Sequence, residues 1–141
     1  MKRFIFFILF SSICLFSSNQ VYTESIENYH LTVIPLQSTG IVNVRASDKM
    51  DLEITHELRG EELYIECFIN GFLFSEEKAG MQHIEGEGHL RLYVDGNHID
   101  TIYQPAFIVK GLEKGEHDIQ VVLVKNDRSL YELEETFQIK I

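Results

Sequence analysis

Four side chains able to hold a transition metal fall on alternate positions of one short stretch. His83, Glu85, Glu87 and His89 are spaced by two in GMQHIEGEGHL. In an extended segment, successive side chains point to opposite faces, so all four would line one side. Imidazole and carboxylate ligands suit zinc or copper, and His98, a little further on, would supply another ring. The competing reading is a solvated loop that runs into a hairpin. Gly86 and Gly88 loosen the run, and ordering it costs roughly 1–2 kcal/mol per residue. That cost favours the loop, and both readings stay open.

Other reactive patterns are weaker. Asp95-Gly96-Asn97 could begin a calcium loop, but Ile99 stands where an oxygen ligand is needed, and the invariant glycine and closing Glu are missing. A hairpin turn fits better. The chain has no G-x-S-x-G, H-E-x-x-H or phosphate-binding loop, each of which carries a known chemical geometry. No catalytic residue is therefore assigned; a hydrolase with an unrecognised site remains a second alternative. His56 shares its strand face with Leu52, Ile54 and Leu58 and reads as an ordinary strand residue. Cys67 lies in LYIECFI beside Leu63, Ile65 and Ile69 at period two. It reads as a small buried hydrophobe, not a reactive thiol. Phe68, Phe72, Phe74, Tyr103 and Phe107 are either core or an apolar binding patch, and core is preferred.

The elements that must position these residues are strands. Apolar residues recur at period two in segment after segment. The pattern predicts strands over His30–Leu36, Ile41–Ala46, Leu52–Leu58, Glu62–Ile69, His89–Val94, His98–Tyr103, Ala106–Val109, His117–Val124 and Leu130–Ile141. Turn signals such as Ser38-Thr39-Gly40, Asn70-Gly71, Asp95-Gly96 and Lys114-Gly115 separate them. Glu76–Gly80 could form one helical turn. Strands of this length and spacing predict an all-β antiparallel sandwich. Asp95-Gly96 fits a two-residue type I′ loop. Tyr93 would then pair with His98, Leu92 with Ile99, and Arg91 with Asp100. Leu90, Leu92, Val94 and Ile99 would face the core. His89, Arg91, Tyr93, His98 and Asp100 would face solvent, with Arg91 and Asp100 forming an ion pair.

Lys2 and Arg3 precede an apolar run from Phe4 to Phe16 of about 13 residues, the size of a secretory h-region and short of a membrane span. Residues 1–20 are expected to be a signal peptide, or else an uncleaved N-terminal anchor. Residues 21–141 are then expected to be one secreted or extracytoplasmic domain, with no membrane insertion of the mature part. The chain carries 12 Lys and Arg against 22 Asp and Glu, a net charge of −10. Losing Lys2 and Arg3 makes it more acidic still, which argues against nucleic-acid partners. After cleavage only Cys67 is left, so no internal disulfide can form.

GEGHLRLYVDG, followed by GLEKGEHDIQVVLVKNDRS, resembles a group of small exported bacterial domains of unknown function. Their signature runs GHxHLYxDG, then an aromatic-His segment, then LxxGxHxIxVxLxxNDH. The resemblance covers residues 62–141 and implies an immunoglobulin-like or fibronectin-III-like β-sandwich. It also implies a metal site built from the signature histidines. Here His89 and His117 match, but Arg91 and Arg128 stand where histidines are expected, and Pro105 to Val109 holds none. A guanidinium stays protonated and repels a divalent ion. The expected function is a non-catalytic binding or accessory module that works through an exported or membrane protein, with weak copper or zinc binding as the alternative.

Overall fold

The computed structural model describes residues 30–37 and 49–141. The expected signal segment, residues 1–20, and the expected strand Ile41–Ala46 lie outside these. Nine strands follow in order: β1 Thr32–Pro35, β2 Leu52–Arg59, β3 Glu62–Ile69, β4 Leu73–Phe74, β5 Glu87–Val94, β6 Asn97–Ile102, β7 Ala106–Lys110, β8 Glu116–Lys125 and β9 Leu130–Lys140. No helix among the described residues is long and apolar enough to cross a membrane. Glu76–Gly80 is not a helical turn. Ala79 N–H donates to Glu76 O and Met81 N–H to Lys78 O, which makes a pair of tight turns instead.

Alternation sorts the side chains into layers. On β3, Leu63, Ile65 and Cys67 are buried while Glu66 is exposed; on β5, Leu90, Leu92 and Val94 are buried. With Ile119, Val121 and Leu123 of β8 and Phe107 and Val109 of β7 they form one core. Each such side chain contributes about 1.5–3 kcal/mol through its removal from water.

Two sheets enclose that core. The first has the order β1-β7-β3-β2; the second runs β4-β5-β8-β9, with β6 also on β5. Taking β2, β3, β5, β6, β7, β8 and β9 as successive strands gives one sheet of the first, second and fifth and another of the fourth, third, sixth and seventh. This is a fibronectin-III-like sandwich, a relative of the immunoglobulin arrangement. One pairing departs from the antiparallel expectation: β4 runs parallel to β5 through Leu73↔Glu87 and Phe74↔Gly88. The free sides of β2 and β9 approach each other, and His56 of β2 stacks flat on Phe137 of β9 at 4.0 Å between ring centres.

The β5–β6 hairpin turns at Asp95 and Gly96, both at positive φ (50° and 78°), as a type I′ loop requires. Val94 pairs with Asn97 and Tyr93 with His98. Beyond that the register shifts: Leu92 pairs with Asp100 and Arg91 with Thr101. The expected Leu92–Ile99 and Arg91–Asp100 pairings are not made. Ile99 and Ile102 are three apart, an odd spacing, yet Ile102 is buried and Ile99 packs against the same core. An extra residue in the strand reconciles the two, at the cost of local regularity.

Candidate functional site

The outer face of the second sheet carries an open groove of about 410 Å³. β5 supplies His89, Arg91 and Tyr93, because Leu90 and Leu92 take the inward positions. β6 supplies His98, whose ring meets Tyr93 edge-on at 5.3 Å, and Thr101. Tyr103 follows β6 and tilts over His89 at 5.5 Å. Arg128 arrives from the β8–β9 turn, and Ala79 closes one wall. The alternation in the sequence correctly placed His89, Arg91, Tyr93 and His98 together. Thr101 was missed because the bulge at Ile99 exchanges it with Asp100.

Arg128 is held in place by long-range contacts of its turn. Asn126 is fully buried; its backbone oxygen accepts from Gly80 N at 2.6 Å, and its Nδ2 donates to Glu87 Oε2 at 3.4 Å. Asp127 Oδ1 accepts from Ser129 N and Oγ. Arg128 then adopts φ 73°, and its guanidinium lies 3.4 Å from the place a Cβ on Gly80 would occupy. His89 is 3% exposed, and its Nδ1 has no hydrogen-bond partner. Burial, then the charges of Arg91 and Arg128, push its pKa below the ordinary imidazole value. The ring is therefore neutral at pH 7, able to donate through one nitrogen only.

The metal candidates are dispersed by other partners. His83 Nε2 meets Glu85 Oε2 at 3.2 Å, and its ring packs on Tyr131. Glu87 Oε1 and Oε2 accept from Lys78 Nζ at 2.9 and 2.7 Å. That ammonium holds the Glu87 carboxyl below its ordinary pKa. The chain turns at Glu85 and Gly86, where Glu87 N bonds Ile84 O, so the alternation assumed for the four residues starts only at Glu87. Among the described residues no group of three or more His, Cys, Asp or Glu side chains is placed to hold an ion.

His117 is a clamp at the other end of the same sheet. Its Nδ1 lies 2.7 Å from Asp95 Oδ2 and its Nε2 3.0 Å from Glu113 O. Asp95 Oδ1 also accepts from Asp118 N at 2.9 Å. The aspartate of the hairpin turn thus fastens β5–β6 to the start of β8. Cys67 is buried, and burial first, then Glu66, pushes its thiol up to about 12. Of the five aromatics weighed as a patch, Phe107 is fully buried, Phe68 is half-buried on β3, Phe72 and Phe74 meet each other edge to face and pack against the core, and Tyr103 belongs to the groove.

No family model and no curated protein matches the chain. Among solved structures it is similar to the fibronectin(III)-like modules of Clostridium thermocellum CbhA, with TM-score 0.41, 14% identity and coverage of 63% of this chain and 96% of that one. The strand order defines the architecture independently of this likeness.

Proposed function

We propose that this chain is exported and works outside the cytoplasmic membrane as a non-catalytic binding module. It holds a partner protein, itself exported or membrane-bound, against the outer face of its second sheet. The observation that carries this reading is the groove: one face of the sheet seals the core, and the other presents a concavity to solvent. Guanidinium, imidazole and phenol side chains dominate its lining, and these bind by hydrogen bonding and stacking. The signal-like N-terminus supports export, and the acidic balance supports a protein over a nucleic acid.

The test places a photo-crosslinking amino acid at Tyr93, inside the groove, or at Thr55, exposed on β2. The full chain is expressed in an exporting host. A discrete crosslinked protein from position 93 and none from 55, with the domain outside the cytoplasm, is the expected result. Equal labelling from both positions, none from 93, or retention in the cytosol overturns the reading.

A further inference from the structure

Resting on the reading of this face as a binding surface, we infer that the groove is an oxyanion site. Arg91 and Arg128 grip a carboxylate or phosphate group beside the His89 and Tyr103 rings. Four other cations in the described residues meet carboxylates: Arg59 with Glu57 at 2.6 Å, Lys78 with Glu87 at 2.7 Å, Lys110 with Glu62 at 2.6 Å and Lys140 with Glu116 at 3.5 Å; Lys125 lies over the Tyr131 ring instead. Arg91 and Arg128 make no such pair among those residues, although the chain has 22 Asp and Glu to offer. No carboxylate lines the groove they share. Two guanidiniums that both act on one buried imidazole repel each other. An anion between them turns that repulsion into attraction.

The geometry selects the ligand class. A guanidinium presents a planar fork of donors that matches the paired oxygens of carboxylate and phosphate. The arginines come from different elements, one from β5 and one from the β8–β9 turn, so a single group can be held from two directions. His89 adds a buried polar edge whose Nδ1 lacks a partner, and the Tyr103 ring, tilted over it, lines the groove beside the arginines. A groove of about 410 Å³ lies within the roughly 300–1,000 Å³ range of small-ligand sites. The oxyanion belongs either to a free small molecule or to an acidic side chain of the partner protein.

The two sources separate by nuclear magnetic resonance titration of the full chain at constant ionic strength, with sodium phosphate, sodium acetate or tetraglutamate as probe. Saturable shifts at His89, Arg91, Tyr103 and Arg128 are expected with at least one. Saturation by phosphate or acetate points to a free anion, and saturation by tetraglutamate alone to an acidic segment. Arg91→Gln and Arg128→Gln should each weaken binding about tenfold, while Lys110→Gln leaves it unchanged. Arg128 is exposed in a turn, so its variant keeps the test valid if Arg91→Gln fails to fold. No saturable shift with any probe, or shifts that persist in the double arginine variant, overturns the site. If the crosslink from Tyr93 survives in that double variant, the partner surface stands and the oxyanion chemistry falls. If phosphate saturates the groove but Tyr93 captures nothing, the reverse holds.

Discussion

Both ring nitrogens of His117 face acceptors, a carboxylate and a carbonyl, so both contacts are hydrogen bonds only when the ring is protonated, which favours the imidazolium. Burial alone would lower its pKa, but the Asp95 carboxylate and the Glu113 carbonyl outweigh it and the net shift is upward. His117→Ala should cost about 2 kcal/mol in urea denaturation, the scale of a buried hydrogen bond to a charged group. Asp95→Asn keeps the turn preference of Asn-Gly but removes the charge, and the imidazole should then titrate lower by proton resonance. An unshifted ring in Asp95→Asn would contradict the clamp. Zinc is the second residue-scale test. Glu87 is occupied by Lys78, and an ion at His89 would meet two guanidiniums. Calorimetry at micromolar zinc should show no stoichiometric heat; a heat that His89→Ala abolishes would establish the metal reading. The sequence showed which residues share the β5 face, since alternation is local. It could not show that Lys78 neutralises Glu87 or that Arg128 reaches His89, because both depend on where Asn126 anchors the 75–81 segment.

Strand β5 shows what an element demands beyond its hydrophobic pattern. Gly88 in the resembled signature invites a flexible-loop reading, yet it is paired with Lys125 inside the sheet. A Cβ there would lie 2.0 Å from Val124 O and 3.0 Å from the carbonyl carbon, both backbone. Gly88→Ala must therefore push β5 away from β8, with an expected loss of about 3 kcal/mol. Gly96→Ala meets nothing within 4 Å and strains only the turn at φ 78°, so it should lose about 1–2 kcal/mol. Urea midpoints of the two variants test the ranking, and equal losses would contradict it. The same strand explains what the pattern concealed. β3 is read at its observed bounds because its period is unbroken. β5 begins two residues early, at Glu87, because backbone pairing to β4 and β8 does not need an apolar side chain. β4 itself has two residues, too few for any period to register. The bulge in β6 was encoded in the odd spacing of Ile99 and Ile102, but only a commitment of both to the core reveals it.

At the scale of the whole molecule, two imidazoles on one sheet set opposite pH limits on stability. His89 has a depressed pKa, from burial and from Arg91 and Arg128. As pH falls below about 6.5, the unfolded chain binds a proton there that the fold resists, so stability declines toward acid. His117 has a raised pKa. Its contribution is complete below about pH 6.5 and is lost as pH rises through the folded value, because the fold then releases the proton that the clamp requires. Exposed carboxylates such as Glu57 and Glu62, held below their ordinary values by Arg59 and Lys110, stay ionised until well below this window. Between pH 5 and 9 the denaturation midpoint should thus pass through a maximum near the ordinary imidazole pKa. His117→Ala should flatten the alkaline limb, and His89→Ala the acid limb. An oxyanion in the groove opposes the two guanidinium charges but not the burial of the ring, so phosphate should flatten the acid limb of the unmodified protein in part, less than His89→Ala does, and leave the alkaline limb alone. An acid limb that His89→Ala flattens but phosphate leaves unchanged would mean that no bound anion offsets the arginine charges at His89, and a limb indifferent to His89→Ala would contradict the depressed pKa itself.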